Sequence, residues 1–206
     1  SSLVSSIQSA AAGTGFLYQG LRAVTGETKE EPFDFFASAQ VELGFADDSL
    51  STVAARINKD EIKIPVLGDF VGDFSSVVKK AHVASIILPK IIVSDKSYLI
   101  LLQDNMELRP TGGLISSYGL ISFEKGKLKK LKFGDIDEVD SQLKIHVEPP
   151  KEIKEDLGQK DWYLRDSNFE PDFPQSAKQA EWFFNQETGT AVAGVITLDI
   201  KALDNL

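Results

Sequence analysis

An α/β fold, α+β-like in its segregation, is what the sequence predicts: a helical N-terminal subdomain packed on a mixed β-sheet flanked by helices. Three features lead to it. Apolar residues recur at helical spacing over residues 1–90. From residue 91 onward, β-branched and aromatic residues come in short runs bounded by Gly, Asp and Lys, which is strand patterning. Helix-patterned segments interrupt those runs, as in a mixed sheet with helices on its faces.

The elements follow in order. Leu3, Ile7, Ala10, Ala11, Leu17, Leu21 and Val24 mark a first helix, with a bend or break expected at Gly13 and Gly15. Pro32 opens a second at a first-turn position. Phe33, Phe36, Ala37, Val41 and Phe45 form its expected inner stripe, and Asp47-Asp48-Ser49 starts a further turn around Leu50, Val53 and Ile57. A third helix runs from about Asp69 with Phe70, Phe74, Val77, Val78 and Ala81 inward, stopping before Pro89. These set the boundary between a helical part, 1–90, and an α/β part, 91–206.

Tyr98-Leu99-Ile100-Leu101-Leu102 reads as a central strand buried on both faces. Leu114–Phe123 and Leu128–Phe133 flank Glu124-Lys125-Gly126-Lys127, a hairpin signal in which the glycine supplies positive φ. A short helix follows Pro149-Pro150. A longer one spans Pro174 to Asn185, with Ala177, Ala180, Phe183 and Phe184 inward and Gly189 beyond its end. Val192–Leu198 closes the pattern as a strand.

Composition removes several function classes. Of 206 residues, 42% are hydrophobic and 26% charged, enough for a core and unlike a disordered chain. The net charge of −9, with no basic patch, disfavours nucleic acid and anionic lipid surfaces. No cysteine means no disulfide, thiolate nucleophile or Cys-bound zinc. His82 and His146 are too far apart for a local metal motif, so no metal site is assigned. Ser116, Ser117 and Ser122 lack a nucleophile-elbow context, and His146 is expected to cap or pack. The acidic turn Asp135–Asp140 lacks the EF-hand pattern and reads as a solvated turn or helix start. Glu148, Glu152 and Glu155 read as a solvated face. The chain begins at Ser1 without methionine, and Leu206 follows closely on a strand pattern; a processed or excised product, truncated at the C-terminus, is expected.

Two loops stand out because arginine is rare: Lys+Arg total 22, yet only Arg22, Arg56, Arg109 and Arg165 are arginine. Arg109, Thr111, Gly112 and Gly113 lie beyond the central strand, where ligand sites in open sheets cluster. A guanidinium beside close-approaching backbone amides suits a carboxylate or phosphate. The plainer alternative is a tight connection in which Arg109 pairs with Glu107 or a carbonyl. Arg165, Asp166 and Asn168 lie in an aromatic- and proline-rich loop ahead of a helix N-terminus, which suits an anion or divalent cation. Here the alternative is a loop pinned by an ion pair and a cap, with Trp162, Phe169 and Phe173 filling a satellite core. Convergence of Arg109 and Arg165 would favour a site; separation would count against it.

The stretches Tyr98–Gly113, Ser117-Tyr118-Gly119, Trp162–Asn168, Pro171–Ala177 and Gly189–Asp199 resemble the bacterial domain-of-unknown-function 4012 family, over about residues 62–206. That resemblance implies an extracytoplasmic envelope protein, membrane-anchored through a segment absent here. More remotely, the order of elements is similar to the LytR-CpsA-Psr phosphotransferases, which transfer polyprenyl-pyrophosphate-linked glycopolymers to the cell wall. That likeness implies a glycopolymer or polyprenyl phosphate as partner, with Arg109 and Arg165 on the pyrophosphate and Asp166 helping to hold Mg²⁺; otherwise no cofactor is expected. The leading expectation is a domain of unknown activity that binds an anionic ligand or partner through the two loops. The rival is a phosphotransferase, and catalytic residues are not assigned. A third reading is a scaffold assembling through Phe33, Phe36 and Phe45.

Overall fold

The computed structural model describes residues 2–58 and 65–203. The expectations about Ser1 and Leu206 lie outside those residues. Two compact units emerge: residues 1–95 with 123–128, and residues 96–122 with 129–206.

The first unit contains three helices, α1 (Ser2–Val24), α2 (Pro32–Asn58) and α3 (Pro65–Ile92). Helix α2 is central, packing on both α1 and α3. Its buried edge is Phe36, Ala39, Leu43, Ala46, Leu50 and Val53, a continuous i, i+3, i+4 series that needs one unbroken helix. The expected new turn at Asp47 is therefore absent. Ala37, Val41 and Phe45 belong to the outer face rather than the inner one, and Val41 is 71% exposed. The expected break at Gly13–Gly15 is also absent. A Cβ at Gly13 would stand 2.6 Å from Leu43 Cγ, so this glycine lets α1 approach α2 closely. In α3, Val71, Val78 and Ser85 are buried while Phe70 and Val77 are exposed, which rotates the expected stripe. The helix runs through Pro89, which lies near its C-terminal end at Ile92 and accepts a hydrogen bond from the Val93 amide. His82 Nδ1 lies 3.3 Å from Asp47 Oδ2 and is a satisfied histidine. Residues 123–128 join this unit through Gly126, whose φ of +77° and closeness to the Phe33 ring both require glycine.

The second unit is built on a four-stranded mixed sheet of order β3-β2-β1-β4. Strand β1 (Ser97–Arg109) is antiparallel to β2 (Gly112–Glu124) and parallel to β4 (Val195–Asp199), and β3 (Lys127–Asp135) lies beyond β2. Lys125 and Gly126, both at positive φ, form the two-residue turn of the β2–β3 hairpin. Only alternate residues of the apolar run are fully buried, Leu99 and Leu101; Tyr98, Ile100 and Leu102 are half-buried, so the strand is central but not covered on both sides. The core joins Leu99, Leu101, Ile115, Tyr118 and Leu120 to α4 (Ile136–Asp140), a 3₁₀ turn (Leu164–Phe169) and α6 (Phe173–Thr188). Phe183 and Phe184 are its largest helical contributors, and Gly189 caps α6 in the left-handed conformation. Short helices α5 (Lys151–Asp156) and α7 (Ile200–Leu203) complete the unit. The acidic turn is a helix start: Asp135 caps α4 through the Asp137 amide.

Candidate functional site

The segment around Arg109 is a strand end rather than a loop. Strand β1 continues to Arg109, which pairs with Gly112 across a turn made by Pro110 and Thr111. The register slips between Asp104 and Leu108, so the ladder is irregular there. A Cβ on Gly113 would collide with the Asp104 backbone, so this glycine is required by the strand pairing itself.

Six of the seven expected site residues meet along one seam between this hairpin end and the 3₁₀ turn. Arg109 Nε donates to Asp166 Oδ1 at 2.8 Å, with the Asp166 side chain fully buried. Thr111 Oγ1 donates to the Asn168 carbonyl at 3.3 Å, and Asn168 Nδ2 donates to the Gly113 carbonyl at 2.8 Å. Trp162 Nε1 donates to the Asp166 carbonyl at 3.0 Å while its ring meets Phe183 edge-on. These bonds hold the seam together, although Asp166 Oδ2, Ser167 Oγ and Asn168 Oδ1 are buried in it without a partner; Gly112 contributes backbone geometry, and the Arg109 charge is compensated by a carboxylate that water does not reach.

Arg165, the seventh, points elsewhere. Its guanidinium bridges Asp137 and Asp140, one turn apart on α4. The two arginines line separate depressions: Arg109 one of about 180 Å³ with Glu152, Asp156 and Phe169, Arg165 one of about 380 Å³. The larger depression is lined by Asp137, Asp140, Ser141, Gln159, Tyr163 and Arg165. The convergence on which a joint anion clamp depended is not formed.

The larger depression has unusual electrostatics. Asp140 is only 4% exposed, and burial pushes its carboxyl up to about 6 although Arg165 pulls the other way. Behind it, Glu187 of α6 is equally buried and is pushed up to about 8, first by burial and then by the charge of Asp140. Glu187 Oε1 accepts the Leu164 amide at 3.3 Å. Three side-chain oxygens here lack a hydrogen-bond partner: Asp140 Oδ1, Gln159 Oε1 and Glu187 Oε2. Sequence reasoning missed Asp140, Gln159, Tyr163 and Glu187. Asp137 and Asp140 lie more than twenty residues from Arg165 in the chain, so no local spacing marked them as its partners.

Among the described residues, no group of three or more His, Asp or Glu side chains is placed to hold a metal ion, and no helix is long and apolar enough to cross a membrane. His146 does not pack. It is exposed, with Nδ1 2.6 Å from Asp161 and Nε2 3.1 Å from Glu148.

The family model described as "Protein of unknown function (DUF4012)" matches residues 94–206. No curated protein matches the chain, and no solved structure does.

Proposed function

The chain belongs to the DUF4012 family, and from that premise we propose that its α/β unit is a ligand-binding module whose ligand seats in the depression around Arg165. The carrying observation is that Asp140 Oδ1 and Gln159 Oε1, on two of the lining residues, are buried without donors. A buried acceptor without a donor costs about 1–3 kcal/mol, which a ligand hydroxyl or N–H would recover. Ser141 and Tyr163 add hydroxyls, and Tyr163 an aromatic face, a mixture suited to a polyhydroxylated sugar such as a cell-wall glycopolymer unit.

Binding of a phosphate is less well supported. Each arginine is already matched by an internal carboxylate, so a pyrophosphate would have to displace Asp166 from Arg109 or the aspartate pair from Arg165. The same pairing weighs against the phosphotransferase alternative, which needs Asp166 free for Mg²⁺. The resemblance at Tyr98–Gly113 and Trp162–Asn168 supports an extracytoplasmic module, tethered through a segment beyond these residues. Protease accessibility of the full-length protein on intact cells tests that part.

The binding reading is tested by NMR titration with methyl glucoside and, separately, inorganic pyrophosphate. The sugar is expected to shift the Gln159 side-chain amide and the Ser141 and Tyr163 backbone amides, and Gln159→Ala is expected to weaken the effect. Saturable shifts at both Arg109 and Arg165 Nε–H with pyrophosphate, and none with sugar, would replace this reading with the phosphotransferase one.

A further inference from the structure

We infer that the depression around Arg165 selects ligands carrying a protonated amine, with Asp140 as the residue that receives it. This rests on the binding reading above and narrows its ligand class.

The argument begins with charge. Asp137 and Asp140 both pair with the single guanidinium of Arg165, leaving two carboxylates to one cation at the rim of the depression. Asp140 is more than nine-tenths buried; its Oδ2 is fixed by Arg165 Nε, and its Oδ1 has no donor. The charged groups acting on Asp140 are Asp137 on its own helix and Arg165 on the 3₁₀ turn, while from α6 Glu187 is coupled to it and is itself acted on by Arg165. Glu187 holds its proton at neutral pH, so it adds no charge; with Oε1 accepting from the Leu164 amide, its Oε2 carries the O–H and is a donor without an acceptor.

The two orphaned atoms on the lining residues, Asp140 Oδ1 and Gln159 Oε1, are both acceptors. A phosphate or carboxylate would bring more acceptors and a second negative charge. A sugar hydroxyl brings one donor. An ammonium brings three donors and the compensating charge, and so answers both the hydrogen-bond deficit and the charge excess. An amino sugar combines that group with the hydroxyls that Ser141, Gln159 and Tyr163 suit.

The test compares methyl glucosaminide with methyl glucoside against the whole chain by NMR titration at pH 7 and low salt. The amine is expected to bind roughly tenfold more tightly, as a charge-assisted hydrogen bond commonly provides. The preference should shrink below pH 6, where Asp140 takes up a proton, and vanish in Asp140→Asn. Asp137 is largely exposed, so Asp137→Asn keeps the fold if Asp140→Asn does not, and is expected to reduce the preference to about threefold. Equal binding of the two sugars overturns the amine assignment and leaves the binding reading standing. Failure of both sugars to shift Ser141, Gln159 and Tyr163 overturns both. A preference that survives unchanged in Asp140→Asn, or in Asp137→Asn where the first variant fails to fold, also overturns the amine assignment.

Discussion

Replacing Glu187 by glutamine should stabilise the α/β unit at neutral pH, although it alters a buried polar residue in the core of the fold. In the folded state the carboxyl is pushed from its ordinary 4.5 up to about 8, so unfolding at pH 7 releases a proton. A raised carboxyl means that the unfolded chain binds fewer protons than the native one. Stability from this group is therefore full below about 4.5 and lost progressively as pH rises toward 8. At about 1.4 kcal/mol per pH unit, the cost accumulated between 4.5 and 7 is about 3 kcal/mol, approaching about 5 above pH 9. Glutamine keeps an acceptor for the Leu164 amide and removes the titration; its unmatched N–H groups return about 1–2 kcal/mol of that gain. The net expectation is a gain of about 1–2 kcal/mol at pH 7 that grows with pH and disappears near pH 5. Both tryptophans, Trp162 and Trp182, lie in this unit, so urea unfolding followed by indole fluorescence reports it selectively. Asp140 titrates lower, around 6, and its charge acts on Glu187, so the difference between the two curves is read from pH 7 to 8, where Asp140 is ionised; exposed His146 is common to both proteins. Parallel curves over that window would refute the assignment of a stored proton to this residue.

Arg109→Ala should cost about 3–5 kcal/mol in the same unfolding assay, because Asp166 is left buried and unpaired; Arg109→Met with Asp166→Leu should recover most of it, and equal losses in both proteins would contradict the pairing argument. Gly13→Ala should destabilise the helical unit by about 1–3 kcal/mol, since its Cβ would meet Leu43, whereas Gly15→Ala, with open space around it, should stabilise by about 0.5–1 kcal/mol; far-ultraviolet circular dichroism melts distinguish the two, and a gain at Gly13 would be the contrary result. His146 should titrate above 6.5 by NMR, held charged by the hydrogen bond to Asp161 and then by Glu148, and Asp161→Asn should bring its pKa down; no change would mean the Asp161 contact is not maintained.

Elements written in local chemistry were legible in the sequence. The Lys125-Gly126 turn, the helix start in the acidic turn, the Gly189 stop and the alternation of strands with helices all follow from neighbouring residues. Helix continuity was not. Gly13 looked like a breaker because propensity counts its backbone entropy, while its benefit lies in the approach of Leu43 thirty residues away. The α2 stripe differs from its pattern for a similar reason: Val41 and Phe45 are as apolar as Leu43 and Leu50, and only the positions of α1 and α3 decide which set is covered. At the site, the rarity of arginine drew attention to Arg109 and Arg165, and both lie in ion pairs. Spacing alone could not show that their partners, Asp166 and the Asp137/Asp140 pair, come from the chain itself.

The 3₁₀ turn has a consequence for how this segment tolerates changes in length. With three residues per turn, successive side chains diverge by about 120°, which is how adjacent Arg165 and Asp166 reach opposite partners, one on α4 and the other at the end of β1. Inserting or deleting a single residue within 164–169 would swing both away from their counterparts at once, stranding charge on two elements together. In the neighbouring 157–161 stretch there is open space around Gly158, but Asp161 is tied to His146 and Gln159 lines the depression. Changes in length are therefore expected to be excluded from 164–169.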